Sequence, residues 1–105
     1  MKYKSNKLQK LEKNRYSILI NDMDRCCICG LPNPDINEIF SGRNRINSIK
    51  YGLCIPLCRL HHHQYHSDRG MQLYWMDKAY KEFIKTHTKD EFIDIFKYIK
   101  GLDIF

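Results

Sequence analysis

Cysteine and histidine are the residue types in this sequence most suited to binding a metal ion, and two pairs of them share one spacing. Cys26 and Cys29 are separated by two residues and followed by Gly30, and Cys58 and His61 repeat the separation. A tight turn with this spacing points two ligands at one ion, so two such pairs supply the four ligands of a closed structural zinc site. The 28 residues between the pairs suffice for a strand, a loop and a second strand. The sequence therefore predicts a zinc knuckle with Cys26, Cys29, Cys58 and His61 as ligands of a structural Zn²⁺.

The other cysteines fit this site less well. Cys27 lacks the two-residue spacer to Cys29, and the spacing of Cys54 is worse than that of Cys58. Two alternatives stay open. All five cysteines can be buried and unligated, as small apolar residues often are. The fourth ligand can also differ, because His61 is the first of three consecutive histidines.

A second group of histidines follows the first directly. His62 and His66 are four residues apart in a segment predicted to be helical, and that spacing returns to nearly the same helix face. The two imidazoles can therefore hold one ion, although a histidine pair with this spacing can also be no more than a polar helix face. Because the pair begins just after the zinc ligands, the metal is expected to anchor the start of the helix that presents it.

Length and composition indicate one small, basic domain. The chain has 105 residues, and 18 lysines and arginines against 12 acids give a formal charge of +6. This charge favours an acidic partner, most commonly a nucleic acid. No stretch reaches the ~18 apolar residues of a membrane span. The odd cysteine number and the lack of an apolar N-terminal core argue against a disulfide framework and predict a reducing cytoplasm.

The hydrophobic pattern predicts an α+β fold. Residues 1–14 are expected to form a basic N-terminal arm or short helix, and residues 15–105 a zinc-stabilised domain. Thr88 and Glu91 have the spacing of a capping box and predict the start of a last helix. The aromatic residues of the last two helices follow helical spacing, which favours a hydrophobic core over a base-stacking platform. The other predicted elements are short strands at 16–20, 36–40 and 53–57, a loop with a short helix at 41–52, and helices at 59–66 and 71–85, with a break at 68–70.

Several motifs occur together and in one order. They are Cys26-x-x-Cys29-Gly30, the run from Asn37 to Arg45, Tyr51-Gly52-Leu53, and Leu57-Cys58-x-x-His61-His62-x-x-x-His66. In this combination the chain, from about residue 15 to its C-terminus, resembles the HNH nucleases. More narrowly it resembles small phage and bacterial HNH-like proteins, including those related to phage recombination-enhancement nucleases. The resemblance implies a ββα-metal core followed by two C-terminal helices, in the cytoplasm of a bacterial or phage-infected cell.

The resemblance also implies a function, the metal-dependent cleavage or nicking of the DNA backbone. In the family one divalent ion such as Mg²⁺ or Mn²⁺ binds the scissile phosphate, and a strand-borne histidine activates the attacking water. Here His62 and His66 are the expected ligands of that second ion, and His62 is also a catalytic candidate. Asn37 and Glu38 stand where the relatives have His-His or His-Glu. Either Asn37 is an inactivating substitution, or Glu38 supplies the base or ligand.

The loop between the predicted strands carries the expected nucleic-acid contacts. Arginine binds phosphate well because its guanidinium forms paired hydrogen bonds. The residues assigned to these contacts are Arg43, Asn44, Arg45 and Lys50. Two hypotheses follow: an HNH-type endonuclease, or a non-catalytic zinc-containing module of phage origin that binds nucleic acid or protein. The presence of Asn37 favours the second hypothesis, because an amide cannot act as a general base. Whether the chain forms a homodimer able to cut both strands is left open.

Overall fold

A computed structural model describes residues 15–105 of the chain, together with Gln9, Lys10 and Lys13. Apart from those three residues, the N-terminal arm predicted over 1–14 lies outside the described residues. The predicted α+β class is confirmed, with one two-stranded sheet and four α-helices within residues 15–105. Among the described residues, no helix has both the length and the apolar character that crossing a membrane requires.

The two strands form an antiparallel pair at the centre of the domain. Strand β1 is Asp35–Glu38 and strand β2 is Cys54–Leu57, with Asp35 opposite Leu57 and Glu38 opposite Cys54. Every residue of β2 is buried. The predicted strands at 36–40 and 53–57 are confirmed, with the first starting and ending slightly earlier than expected. Side chains alternate along β1, so Asp35 and Asn37 share one face of the strand.

The connection between the strands contains the short helix predicted there. A 3₁₀ turn at Gly42–Asn44 leads into helix α1, Arg45–Lys50. Gly52 then turns the chain into β2 with φ of 71°, and a Cβ at this position would lie 2.5 Å from the ring of Tyr16. This close approach requires glycine, because any side chain would collide with the aromatic ring.

Two helices follow β2 almost without interruption. Helix α2 is Arg59–Ser67 and helix α3 is Arg69–Phe83. Asp68 separates them, and its side chain accepts a hydrogen bond from Met71 N at 3.0 Å as the N-cap of α3. The predicted break at 68–70 is therefore shorter than expected, because Gly70 lies in the first turn of α3. The cap satisfies a backbone N–H that would otherwise lack a partner at the helix start.

The last helix, α4, is Lys89–Phe96, and the predicted capping box is present. The hydroxyl of Thr88 accepts from Glu91 N at 3.1 Å, while the Glu91 carboxylate accepts from Thr88 N at 3.0 Å. Lys97, with φ of 63°, ends the helix. Ile99 therefore lies beyond α4, although it is buried.

The aromatic ring of Phe40, which lies just after β1, and rings from the last two helices form the core. Phe92 and Phe96 stack with ring centroids 4.7 Å apart, and Phe40 packs against Phe96 at the same separation. Phe83 adds a perpendicular contact to Phe92 at 5.6 Å. All four rings are at most 1% exposed. Phe83, Phe92 and Phe96 are therefore core residues, as their helical spacing predicted, whereas Tyr74 on α3 is exposed.

The predicted strand at 16–20 is wrong. The hydroxyl of Ser17 accepts hydrogen bonds from the backbone N–H groups of Leu19 and Ile20, both at 3.0 Å, and this local turn replaces extended pairing. Ile18 N donates to Gly52 O at 2.9 Å, and Tyr16 Oη donates to Lys50 O at the same distance. The segment therefore lies against the end of α1 without joining the sheet.

Candidate metal centre and neighbouring histidine cluster

Four side chains from two separate segments converge on one point, as the sequence predicted. The ligand atoms of Cys26, Cys29, Cys58 and His61 all lie within 4.8 Å of one another. The Cys29 and Cys58 sulfurs are 3.7 Å apart, and His61 Nδ1 lies 3.2 Å from Cys58 Sγ. A tetrahedral zinc with Zn–S of about 2.3 Å sets its sulfurs about 3.8 Å apart. The donor types and spacings therefore fit Zn²⁺, and the group can hold a structural metal ion.

Local backbone hydrogen bonds shape the knuckle that carries the first pair of ligands. Gly30 N donates to Cys26 O at 2.8 Å, and Cys26 N donates to Leu31 O at 2.8 Å, which closes a tight turn. Gly30 has φ of 78°, in the left-handed region that favours glycine. Cys27 N donates to Pro56 O at 2.9 Å and so ties the knuckle to β2. This contact brings the first ligand pair beside the end of the strand that leads to the second.

The second pair lies at the junction of strand and helix. Cys58 is the N-cap residue of α2, and His61 lies in the first turn of that helix. His62 N donates to Cys58 O at 2.8 Å, so the helix begins directly at a ligand. A metal bound here would link the knuckle, β2 and the start of α2.

The surroundings of Cys26 favour the thiolate that a metal requires. Burial disfavours the charged form, but hydrogen bonds from the backbone of Cys58 and Cys29 and from the His61 side chain outweigh it. Together they lower the pKa of Cys26 from 9.0 to about 6. A thiolate at neutral pH is the form that ligates zinc.

The other two cysteines differ in both position and ionisation. Burial raises the pKa of Cys27 to about 11 and that of Cys54 to about 12, so both remain neutral thiols. Neither belongs to the group of converging ligand atoms. Their exclusion agrees with the spacing argument made from the sequence.

His62 contacts a carboxylate that the sequence argument did not identify. Its Nδ1 lies 3.0 Å from Asp35 Oδ2, and Arg59 Nε lies 3.2 Å from the same oxygen. The hydrogen bond to His62 lowers the pKa of Asp35, with a further contribution from the charge of Arg59. An ionised carboxylate only accepts hydrogen bonds, so Nδ1 of His62 carries the proton. In the neutral ring this leaves the lone pair on Nε2.

His66 lies beside His62 on α2, with ring centroids 4.8 Å apart. The predicted shared face is therefore present. The described residues contain only one group of three or more converging metal ligands, and it is the cysteine and histidine group of the knuckle. Asp35, His62 and His66 form no such group, although Asp35 Oδ2 and His62 Nδ1 are 3.0 Å apart. A second ion at this place would need ligands from outside the protein.

The two other catalytic candidates are both enclosed. Asn37 is 1% exposed, and its Nδ2 has no hydrogen-bond acceptor among the described residues. Glu38 accepts from Arg45 Nε and from Arg15 Nη2, the latter at 3.4 Å, and its side chain is 12% exposed. Glu38 is thus neutralised by two arginines and is not directed at His62.

The predicted nucleic-acid contacts divide into two groups. Arg43 and Lys50 are exposed. Asn44 is buried and donates from Nδ2 to Phe96 O at 2.9 Å, and Arg45 is paired with Glu38. Of the four predicted contacts, only Arg43 and Lys50 are therefore exposed cations without a carboxylate partner among the described residues.

Sequence reasoning missed Asp35 and Arg15. Strand alternation could have identified Asp35, because it lies two residues before Asn37 and so on the same face. No sequence signal pairs Arg15 with Glu38, since the contact joins residues 23 positions apart.

Comparison with models of protein families, with curated proteins and with solved structures finds no match to this chain.

Proposed function

We propose that this chain is an HNH-type endonuclease domain that binds DNA and cleaves or nicks its phosphodiester backbone, with low turnover. The observation that carries the proposal is the pair formed by Asp35 on β1 and His62 on α2, 3.0 Å apart. The pair lies directly beyond the candidate metal centre, which would fix the junction of β2 and α2 when a metal is bound. Antiparallel strands, a connecting loop and a following helix that starts at a metal ligand support a ββα-metal core.

In this proposal His62 either transfers a proton during cleavage or binds the divalent ion that contacts the scissile phosphate. Its Nδ1 is held by Asp35, so its Nε2 is the nitrogen directed to water or substrate. His66 lies beside it and can contribute a second imidazole. A bound Mg²⁺ or Mn²⁺ would neutralise charge on the phosphate, and such ions often take part of their coordination from substrate and water.

A second candidate function is a non-catalytic, zinc-containing module that binds nucleic acid. Two observations favour it. Asn37 cannot act as a general base near neutral pH, and Glu38 is held by two arginines. Both functions use the same fold and the same basic surface, so they differ only in turnover.

Nicking of supercoiled plasmid in the presence of Mg²⁺ or Mn²⁺ separates the two candidates. The wild-type chain should cut slowly, and Asn37→His should raise the rate by about 10² or more, the typical contribution of a general base. Adding His62→Ala to Asn37→His should abolish that gain. Because Asn37 is buried and imidazole is larger than a carboxamide, zinc content and thermal stability of Asn37→His must be measured alongside.

Folded Asn37→His protein that nicks no faster than wild type, with His62→Ala also without effect, would contradict the nuclease proposal. Salt-dependent DNA binding by the same proteins would then support the binding module.

A further inference from the structure

A groove lies between helix α3 and the segment at 16–20. Its volume is about 430 Å³, which is within the range of ligand-binding clefts. Leu19 and Ile20 line it from one side, and the Ser17 hydroxyl holds this wall by accepting hydrogen bonds from both of their N–H groups. Tyr74 and Trp75 line it from α3. The groove, which we call the α3 groove, therefore has apolar side chains on both sides.

The apolar lining is accessible and uneven. Tyr74 is 56% exposed, and Leu19, Ile20 and Trp75 are half-buried. The rings of Tyr74 and Trp75 are perpendicular, at 88°, and Lys78 Nζ lies 5.0 Å from the centre of the Tyr74 ring. A nucleobase stacks on an open ring face. The described part of the groove therefore suits aliphatic or aromatic side chains better than it suits flat bases.

Three lysines border the same groove. Lys78 and Lys81 lie almost one helical turn apart on α3, and Lys85 follows the end of that helix. Lys81 Nζ is 2.8 Å from Asp77 Oδ2 and Lys85 Nζ is 2.6 Å from Glu82 Oε2, but both lysine side chains are 70% exposed. Exposed pairs of this kind are weak, so the carboxylates of a ligand can share these lysines. Lys78 is exposed and has no carboxylate partner among the described residues.

The charges of the α3 groove favour a ligand with a few anionic groups spread along its length. The three lysines exceed the one lining glutamate, Glu82, by two positive charges. Because the lysines follow one another along the groove, a ligand with a single acidic head, such as a fatty acid, cannot engage all of them. A dense row of phosphates would meet the Glu82 carboxylate. Carboxylates separated by apolar side chains match both the charge and the lining.

We propose that the α3 groove binds an acidic segment of a partner protein, in which aspartate or glutamate alternates with apolar residues. The apolar side chains enter between the two walls, and the carboxylates pair with the lysines at the border. Apolar burial drives the association, and charge complementarity selects the partner. The inference does not depend on the proposed nuclease function, because no residue of the α3 groove belongs to the metal ligand group or to the pair of Asp35 and His62.

Trp75 is the only tryptophan in the chain, so its fluorescence reports on the α3 groove alone. The zinc-loaded full chain is titrated with an end-capped peptide of about six residues, roughly 20 Å when extended, in which aspartate and leucine alternate. We expect a saturable blue shift of Trp75 emission as leucine side chains displace water, and weaker binding as salt rises. Two control peptides, one with serine in place of leucine and one with lysine in place of aspartate, should bind at least about tenfold more weakly.

Two variants test the charge and the apolar wall separately. Lys78→Glu should weaken peptide binding by about tenfold or more, whereas Lys89→Glu makes the same change of charge at an exposed lysine outside the groove and should bind like wild type. Tyr74→Ala should weaken binding by about tenfold, and its control is Tyr98→Ala, which removes a tyrosine that is 65% exposed outside the groove. Calorimetry measures binding to Tyr74→Ala, because loss of the neighbouring ring alters Trp75 emission by itself. All four changes lie on the surface, so zinc content and unfolding temperature should remain those of wild type.

Several results would overturn the inference. One is unchanged Trp75 emission, with no heat of binding, on addition of the aspartate–leucine peptide. Equal binding of the serine peptide is another, because apolar side chains would then play no part. A thymidine oligonucleotide that shifts Trp75 emission in wild type but not in Lys78→Glu, where the peptide has no effect, would make the groove a site for single-stranded nucleic acid. Peptide binding by a chain that does not nick plasmid would support this inference while the proposed function fails, and nicking without peptide binding would do the reverse.

Discussion

Two adjacent histidines at the start of α2 use the same ring nitrogen for opposite purposes. His61 directs Nδ1 at sulfur, 3.2 Å from Cys58 and 3.5 Å from Cys26, where it would offer its lone pair to a bound metal. His62 directs Nδ1 at the Asp35 carboxylate and so presents a proton. Neither the residue type nor the helix distinguishes them. The two histidines differ in the group that the fold places next to Nδ1. Thiol sulfurs at this nitrogen allow the imidazole to bind a metal there, whereas a carboxylate at this nitrogen holds the ring in one orientation.

The largest expected effect tests the His61 side of this comparison. Cys58→Ser removes a candidate ligand that lies between β2 and α2, so the protein should lose its metal and its cooperative fold, because the binding energy of a structural zinc is folding energy. Native mass spectrometry should find one zinc per wild-type chain and none in the variant, and circular dichroism should show loss of structure.

Cys27→Ser is the matched control for that loss. It changes a neighbouring, half-buried thiol outside the ligand group, so it should keep the zinc and unfold at nearly the wild-type temperature. Equal loss of zinc in both variants, or a folded zinc-free Cys58→Ser protein, would contradict the assigned ligand set.

The two sides of the comparison also differ in how far the sequence predicts them. The ligands of the knuckle were predictable because a two-residue spacer fixes local geometry. The capping box at Thr88 was predictable for the same reason. The partner of His62 was not, because Asp35 reaches it through the register of two strands and the docking of a helix. Ser17 shows the reverse failure: a local side-chain hydrogen bond outweighed β-propensity in the segment predicted as a strand.

Asp35 lies at one end of β1 and Glu38 at the other, and a change at Glu38 should have the next largest effect on stability. Glu38 neutralises Arg15 and Arg45 at a site where its own side chain is 12% exposed, so Glu38→Gln leaves two cations with one acceptor fewer. The free energy of unfolding should fall by about 1–3 kcal/mol, as for loss of a partly buried charged hydrogen bond. Urea unfolding of the zinc-loaded protein measures the change.

Glu82→Gln is the control for Glu38, because it breaks an i, i+3 pair with Lys85, whose side chain is 70% exposed. That change should cost less than about 0.5 kcal/mol. If the two variants lose equal stability, the ion pairs at Glu38 contribute no more than an exposed pair.

The smallest effect concerns Asp35 and tests the His62 side of the comparison. The pKa of Asp35 is lowered in the folded protein, chiefly by the hydrogen bond with His62, so the ionised form stabilises the fold. That contribution is complete above the unfolded pKa of about 3.9 and is lost as pH falls through the lower folded value. Asp35 is partly exposed, so screening should keep the contribution below about 1 kcal/mol. Asp35→Asn should therefore be slightly less stable than wild type at pH 6, with the difference narrowing as pH falls toward the folded pKa of Asp35 over the range in which both proteins retain zinc.

Zinc content of both proteins is measured at each pH, because acid release of the metal would remove the fold, and stabilities are compared only where both proteins retain zinc. A stability measurement does not report how the imidazole ring of His62 is oriented. The position of the proton on that ring is therefore measured as a second property. Nitrogen chemical shifts of His62 should report a proton on Nδ1 in wild type, because only a donor can face the Asp35 carboxylate. In Asp35→Asn the side-chain oxygen or nitrogen can face the ring, so the two tautomers should mix. An unchanged tautomer in Asp35→Asn would mean that the carboxylate does not orient His62, and the contrast with His61 would then need another cause.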